Sequence, residues 1–300
     1  MKLYICEERS HPKNVESIRK MCEHNGATYE FSTNLDRLND TFDIVLCFNK
    51  FYPPSMFPAN CKVVYGPQFF TFPDDYEHPV HKHTYEPERF FFNTLADWNL
   101  KIHSEMAPSL NLTFVPIPFG IDIDNIKIVP SVKDRNKVMV YTKVRHPSNA
   151  QYVFDFLRSR GDEYYHIQYG SYNETDFKNQ LADTKFVIWI GSHESQGYAF
   201  QETLALNIPI LLWEAPTMHV EFNRDNKYTY ESYRDKYPLF ATTANAWSSE
   251  CGIKFYEQWE FETRFQQMNE RIDSFTPRKF IESQLSLKAA YANLLKKVGL

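Results

Sequence analysis

Short apolar segments alternate along the chain with longer segments in which apolar residues recur every three or four positions. The short segments are rich in β-branched and aromatic residues and end at turn residues, which is typical of buried strands, whereas the longer period is that of a helix. In the first part of the chain the pattern predicts helices at 12–24 and 95–106, and strands at 2–6, 28–31, 43–48, 62–65, 90–92 and 112–115.

The same alternation restarts near residue 137. Ser148 is the predicted N-cap of a helix that ends at Gly161. After Trp213 the pattern weakens through residues 228–247. Because strands that alternate with helices pair in parallel, the sequence predicts an α/β fold with parallel sheets. The predicted strands are 137–141, 164–169, 185–190 and 208–213, and the predicted helices are 148–161, 174–182, 198–206, 260–272 and 277–298.

The segment Pro116-Ile117-Pro118-Phe119-Gly120 separates the two series of elements and is the predicted domain junction. We therefore expect a Rossmann-like domain at 1–120, a second Rossmann-like domain at 121–275 and a closing helix at 276–300. Open parallel sheets bind ligands outside the carboxyl ends of their strands. The loops that follow the strands are therefore the first place to look for chemistry.

Composition and charge narrow the class of protein. The net charge of −5 provides no basic field for nucleic acid or anionic lipid, and no apolar run approaches the ~18 residues of a membrane span. We expect no signal peptide in the N-terminal residues, because Glu7, Glu8 and Arg9 follow the first apolar residues too soon. Five cysteines without a C-x-x-C pair are typical of reduced thiols. We expect a soluble, cytoplasmic protein.

The segment between the predicted strands 185–190 and 208–213 carries the most informative chemistry. It begins with Gly191 and contains a second glycine, Gly197, just before a predicted helix. Glu194 lies in the loop and Glu202 lies in the helix, with seven residues between them. A glycine there lets backbone amides at a helix N-terminus approach an anion. A carboxylate one turn into the helix can accept hydrogen bonds from paired sugar hydroxyls. These features favour a nucleotide-sugar site, and the alternative is a pair of solvated surface carboxylates.

The run from Glu194 to Glu202, followed by Leu204-Ala205-Leu206 and Pro209, resembles the E-x7-E signature of glycosyltransferases with the GT-B fold, especially the family-4 type. The segment 114–122 is similar to the one that precedes the second domain in that family. The resemblance implies two Rossmann-like domains that face a cleft, with a C-terminal helix that crosses back to the first. The size and composition also resemble those of small soluble transferases encoded by large DNA viruses.

The resemblance also implies roles for individual residues. Glu202 would hold the ribose of the donor and Glu194 would lie near the donor sugar. Gln196, Gly197 and Tyr198 would contact the sugar or its phosphates. The family places an Arg and a Lys after the first strand of the second domain, where this chain has Lys143 and Arg145 at a different spacing. These two would neutralise the diphosphate, with a solvated surface as the alternative.

Two further groups of residues carry candidate chemistry. Asp122-Ile123-Asp124 matches a metal-binding string of another glycosyltransferase fold, but we interpret it as structural and expect no metal ion. The segment 74–83 is rich in carboxylates and histidines. Asp75 and His78 are candidates for the general base that an inverting transferase requires, with a solvated loop or a zinc site as alternatives.

The resemblance predicts transfer of a sugar from a nucleotide sugar, with UDP as the expected nucleotide, to a hydroxyl of a glycan or glycoprotein acceptor. The nucleotide sugar is a co-substrate, and no other cofactor is expected. The alternatives are a nucleotide-sugar epimerase or hydrolase of the same fold, and a protein that binds nucleotide or glycan without turnover. Because the cation pair departs from the family spacing, we lean towards inversion of configuration.

Overall fold

The structure is a computed structural model that describes residues 1–67, 79–106, 111–127, 135–221 and 240–300. The chain forms two compact units. The first unit comprises Met1–Asp122 together with Leu285–Leu300, and the second comprises Ile123–Gln284. Each unit is built around one parallel sheet.

The first unit contains a six-stranded sheet in the order β2-β1-β3-β4-β5-β6, and every neighbouring pair is parallel. Its central strands are buried along nearly their whole length, which is usual for parallel sheets because both of their faces are covered. The strands are β1 (Lys2–Cys6), β2 (Thr28–Ser32), β3 (Ile44–Cys47), β4 (Lys62–Tyr65), β5 (Phe90–Asn93) and β6 (Thr113–Val115).

The second unit contains a five-stranded parallel sheet in the order β11-β10-β9-β7-β8. Its strands are β7 (Lys137–Thr142), β8 (Tyr164–Gln168), β9 (Thr184–Ile190), β10 (Ile210–Trp213) and β11 (Gly252–Phe255). The predicted α/β class with parallel sheets is confirmed in both units. Strand β11 was not predicted, because the sequence around it has no clear hydrophobic period.

In the described parts of the chain, α-helices connect β1 to β2, β5 to β6 and each consecutive pair of strands from β7 to β10, and further helices follow β11. The helices are α1 (Pro12–His24), α2 (Asp97–Met106), α3 (Pro147–Arg160), α4 (Glu174–Leu181), α5 (Tyr198–Ala205), α6 (Phe261–Glu270), α7 (Pro277–Leu285) and α8 (Leu287–Val298). Most lie within a few residues of their predicted positions, and α1 has the predicted bounds.

Two details of the helix predictions are wrong. The N-cap of α3 is His146, whose side chain accepts from the backbone N–H of Ser148, because Pro147 occupies the first helical position. The single closing helix predicted at 277–298 is two helices. Ser286 leaves helical geometry with ψ of 159° and caps α8 by accepting from the backbone N–H of Ala289 at 3.2 Å.

Helix α8 packs against α1 within the first unit. Gly120 allows the close approach, because a Cβ added there would lie 3.0 Å from the Cα of Leu287. Ser17 on α1 donates to the Gly120 carbonyl at 2.7 Å. Among the described residues, no helix has the length and apolar character that crossing a bilayer requires.

Candidate functional site

The strand order of the second sheet marks one position as a candidate ligand site. Strand β7 lies between β8 and β9, so the chain leaves it in one direction and returns on its other side. The connections therefore diverge at the carboxyl ends of β7 and β9. Crevices at such switch points are where open α/β sheets bind ligands. The loop 143–146 follows β7 and the loop 191–197 follows β9, so both border this position.

A buried ion pair joins these two loops. The backbone N–H of Lys143 donates to the Ile190 carbonyl at 2.9 Å and continues the pairing of β7 with β9. The Nζ of Lys143 lies 2.8 Å from Oε1 of Glu194, and the two side chains are only 10% and 12% exposed. The same ammonium lies 4.5 Å from the ring centre of Tyr169. The structure thus brings together two residues that the sequence places far apart.

Arg145 lies beside this pair and is held by the ends of two strands. Its Nη1 donates to the carbonyls of Gly191, Trp213 and Glu214 at 3.2, 3.5 and 3.4 Å. Burial lowers the pKa of the guanidinium to about 10, against the opposing influence of Glu214 and Glu221. The group remains charged at neutral pH. Arg145 therefore ties the ends of β9 and β10 together and adds positive charge at the switch point.

The loop after β9 needs glycine at both of its ends. A Cβ on Gly191 would lie 2.7 Å from Nε1 of Trp189, a buried ring that stacks on Tyr141 with centres 3.9 Å apart. Gly197 is the N-cap of α5 and has φ of 74°, which is the left-handed region that favours glycine. Gly197 has no side chain that could cap this helix.

Gln196 fixes the start of α5 through buried hydrogen bonds. Its Nε2 donates to Oε1 of Gln201 at 2.7 Å, and Nε2 of Gln201 donates back to the Gln196 carbonyl at 2.6 Å. Both side chains are buried. Both the side chain and the backbone carbonyl of Gln196 are therefore bonded to Gln201. Tyr198 is the first residue of α5, and Glu202 lies on the next turn.

His193 and Glu221 form a second polar pair that was not predicted. One carboxylate oxygen of Glu221 accepts from the backbone N–H of His193 at 3.0 Å and also contacts Nδ1 of its ring. The Glu221 side chain is 3% exposed. A carboxylate on Nδ1 fixes the orientation of the imidazole ring. No sequence motif links the two residues, because Glu221 follows β10 in a region without periodicity.

Glu214 at the end of β10 was not predicted either. Its Oε2 lies 2.6 Å from Nζ of Lys254 on β11 and accepts from Oγ1 of Thr242 at 2.9 Å. Its Oε1 accepts from the backbone N–H groups of Ala215 and Thr243 at 2.9 and 2.7 Å. A fully paired buried carboxylate holds the segment after it in place. The signal available in the sequence was a glutamate directly after the end of a predicted strand.

The remaining predicted site residues fall in different places. Asp75 and His78 lie outside the described residues, so their role as a base stays a prediction. Asp122 forms an ion pair with Lys20 on α1, with Nζ and Oδ2 2.9 Å apart. In the described ranges, no group of three or more His, Cys, Asp or Glu side chains is arranged to hold a metal ion.

Comparisons with known proteins define the fold. No protein-family model matches the sequence, and no curated protein matches it either. Solved structures do match. The chain is similar to the apo form of the lipopolysaccharide outer core galactosyltransferase WaaB, with 10% identity, coverage of 100% of this chain and 99% of that one, and a TM-score of 0.55. Sucrose-phosphate synthase from Thermosynechococcus elongatus matches with 7% identity, coverage of 99% and 98%, and a TM-score of 0.51.

A third similar structure is a mutant of TarM from S. aureus in complex with UDP, fondaparinux and alpha-GlcNAc-glycerol. It matches with 12% identity, a TM-score of 0.50 and coverage of 86% of this chain, which spans 55% of TarM. Together with the two parallel sheets, these similarities show that the chain has the GT-B fold. The expected fold class is therefore confirmed.

Proposed function

We propose that the protein is a glycosyltransferase that binds a nucleotide sugar in its second unit and transfers the sugar to a hydroxyl group. The observation that carries the proposal is the buried Lys143–Glu194 pair at the switch point, beside a helix whose N-cap is Gly197. The GT-B fold supports the same class of reaction. A fold alone does not define a reaction, so the residues of this site must carry the argument.

The charges of the site suit a nucleoside diphosphate. Lys143 has three ammonium protons and donates one of them to Glu194, so the ammonium is already oriented when a phosphate oxygen arrives. The amides at the start of α5 and the positive charge of Arg145 add to the attraction. In this proposal Glu194 also accepts from a hydroxyl of the donor sugar. Gln196, Gly197 and Tyr198 lie along the phosphates.

Glu202 binds the ribose of the donor in this proposal. It follows Gly197 by about one turn of α5, and its carboxylate can accept from both ribose hydroxyls. We propose UDP as the nucleotide. TarM has been solved with UDP, which supports this choice without deciding it for the present chain.

During transfer, the bond between the anomeric carbon and the phosphate oxygen breaks, and the leaving diphosphate keeps the electron pair. Lys143 and the helix amides stabilise the charge that develops on this oxygen, so we propose that no metal ion is required. The acceptor oxygen attacks the anomeric carbon and loses its proton to a base. Asp75 and His78 remain our candidates for that base, and inversion of configuration is the proposed outcome.

The acceptor in this proposal is a hydroxyl of a glycan or glycoprotein, and the protein acts in the cytoplasm. An epimerase or hydrolase of the same fold, or a protein that only binds the nucleotide, would use the same donor site. Turnover separates these functions. Transfer requires an acceptor, hydrolysis releases UDP without one, and a binding protein does neither.

The first experiment measures UDP binding by titration calorimetry for the wild type, Glu202→Ala and Glu270→Ala. Glu270 is a matched control, because it is an exposed helical glutamate at the end of α6. We expect Glu202→Ala to lose ~1–3 kcal/mol of binding free energy, about 5- to 150-fold in Kd, because a charged hydrogen-bond partner is removed. The control should bind as the wild type does.

Equal UDP affinity in a folded Glu202→Ala variant would remove the ribose assignment. If the wild type binds no UDP but binds another nucleoside diphosphate, the choice of base is wrong and the site is retained. Turnover of nucleotide sugars should also survive a chelator. Loss of transfer in the chelator and its recovery with manganese would contradict the metal-free mechanism.

A further inference from the structure

Residues 240–245, which we call the 240–245 segment, form several hydrogen bonds with backbone atoms of the loop after β9. The Thr242 carbonyl accepts from the backbone N–H of Glu194 at 3.0 Å, and Oγ1 of Thr243 donates to the Ser192 carbonyl at 2.9 Å. The Nδ2 of Asn245 donates to the carbonyls of Glu194 and Ser195 at 2.6 and 2.5 Å. The main chain on both sides of the Glu194 side chain is therefore fixed from one segment.

The 240–245 segment is itself anchored by Glu214. The carboxylate accepts from the backbone N–H of Thr243 and the hydroxyl of Thr242, and it pairs with Lys254 on the neighbouring strand. The backbone N–H of Ala241 donates to the Pro216 carbonyl at 3.2 Å, which joins the segment to the chain that follows β10. A carboxylate with all these partners, on a residue that is 3% exposed, gives the segment a rigid base.

The orientation that gives Asn245 these contacts costs some folding free energy. Because Nδ2 faces two carbonyls, the orientation of the amide is settled and Oδ1 must point the other way. That oxygen is buried and has no hydrogen-bond partner among the described residues. A buried acceptor without a partner destabilises the folded state. Costly local arrangements of this kind occur mainly where a function requires a fixed geometry.

We infer that Asn245 is a positioning residue of the donor site, which aligns the main chain of Glu194 and Ser195 so that the Glu194 carboxylate meets both Lys143 and the donor. The inference rests on the proposed function. The Nδ2 of Asn245 acts on the carbonyls and not on the ligand, so its effect reaches the donor through Glu194. Glu214 supports Asn245 by fixing the 240–245 segment.

The test compares Asn245→Ala with Asn245→Asp and with the control Asn269→Ala. Asn269 lies on α6 and also donates through Nδ2 to a backbone carbonyl, that of Phe265 at 2.8 Å. Three quantities are measured for each variant: the Kd for UDP, the Tm, and the rate of amide hydrogen exchange in peptides that cover 192–197. The exchange rate reports the order of the loop without any ligand.

We expect Asn245→Ala to bind UDP about tenfold more weakly and to exchange faster in the loop, with little change in Tm, because the loss of two hydrogen bonds to partly exposed carbonyls is offset by the removal of the unpaired Oδ1. Asn245→Asp should lose at least as much affinity, because a carboxylate would then face two carbonyls. The control should keep its UDP affinity. In a Glu194→Ala background, the loss caused by Asn245→Ala should shrink, since its effect passes through Glu194.

Wild-type UDP affinity in Asn245→Ala would overturn the inference, as would a full and unchanged loss of affinity in the Glu194→Ala background. A lower Tm with retained affinity would assign Asn245 to stability alone and also overturn it. If the wild type binds no nucleotide, the proposed function fails, and only the ordering of the loop by Asn245 is still tested. The hydrogen-exchange result then shows whether Asn245 still orders the loop, which keeps the two failures distinguishable.

Discussion

Among the described residues, the buried contacts at the carboxyl end of β5 in the first unit and at those of β7, β9 and β10 in the second are made by different kinds of polar group. At the end of β5 in the first unit, the neutral amide of Asn93 accepts from the backbone N–H groups of Leu95 and Ile117 at 2.8 and 3.0 Å and donates to the Ile117 carbonyl at 2.8 Å. At the ends of β7, β9 and β10 in the second unit, the corresponding contacts are made by ions. Lys143 pairs with Glu194, and Glu214 pairs with Lys254.

Under the proposed function, this difference separates an edge that serves only the fold from an edge that binds the donor. A neutral amide satisfies buried backbone groups without the desolvation cost of a charge, so it joins strand ends with the smaller loss of free energy. A buried ion pair contributes little net stability for the same purpose. Retaining such pairs at the switch point is therefore better explained by the binding of a charged ligand than by folding. Each of the following predictions tests that distinction.

The largest loss of stability is expected for Lys143→Met. The variant keeps much of the side-chain volume but leaves the Glu194 carboxylate buried without its cation, which should lower the free energy of unfolding by about 3–5 kcal/mol. Urea unfolding measures this loss. UDP affinity should fall as well, because a donor to the diphosphate is removed.

The double variant Lys143→Met/Glu194→Leu supplies the control. Removing both charges should restore much of the stability but not the UDP affinity, since a hydrophobic pair can replace a buried ion pair in folding only. Recovery of UDP binding in the double variant would show that the ion pair serves stability and not binding. The proposed difference between the two sheet edges would then be wrong.

Asn93→Ala tests the carboxyl end of the first sheet, and its loss of stability should be intermediate. It leaves two buried N–H groups and one carbonyl without their partner, so unfolding should become easier by about 2–3 kcal/mol. In contrast to Lys143→Met, the UDP affinity of the folded protein should not change. Calorimetric titration at a temperature where the variant is folded checks this. Weaker UDP binding would mean that the first edge also shapes the donor site.

The smallest effect is expected at Glu260, a carboxylate near the end of β11. It accepts from the backbone N–H groups of Tyr256 and Glu257, with lesser help from Arg264, and these contacts lower its pKa. Glu260→Gln should cost no more than about 1 kcal/mol near neutral pH, as for other capping groups.

The pH dependence gives the sign of the Glu260 effect. A depressed pKa in the folded state adds stability above the unfolded pKa of roughly 4.3, and that stability is lost as the pH falls through the folded pKa. The unfolding curves of the wild type and Glu260→Gln should therefore converge in acid. A difference that persists or grows in acid would contradict this assignment. UDP affinity should be the same in both proteins.

Much of the fold was predictable because its elements have strong local patterns. The period of α1 and its Asn25-Gly26 stop gave the correct bounds, and the apolar run before Gly191 gave β9 almost completely. Strand β11 was missed because its four residues include Gly252 and Lys254, which interrupt an apolar run. The break between α7 and α8 was missed because a single serine changes the backbone direction without disturbing the helical period on either side.

For the site, the sequence identified residues that are close along the chain and could not identify those brought in from elsewhere. The spacing of Gly191, Glu194 and Gly197 follows from their position between a strand and a helix. Their relation to Glu221 and Asn245 does not, because these two lie in weakly patterned loops and meet the glycine loop only through hydrogen bonds to its residues.

The α/β class, the alternation of most strands and helices, and the glycine-bounded loop with its two glutamates could all be read from the amino-acid sequence. These features depend on periodicity and on the backbone requirements of single residues, which are local properties. The pairing of Lys143 with Glu194, and the contacts by which Glu214 and Asn245 hold that loop, became visible only in the folded chain. Strand order brings the ends of β7, β9 and β10 side by side, and a buried charge takes the partner that this packing offers, whatever its distance along the chain.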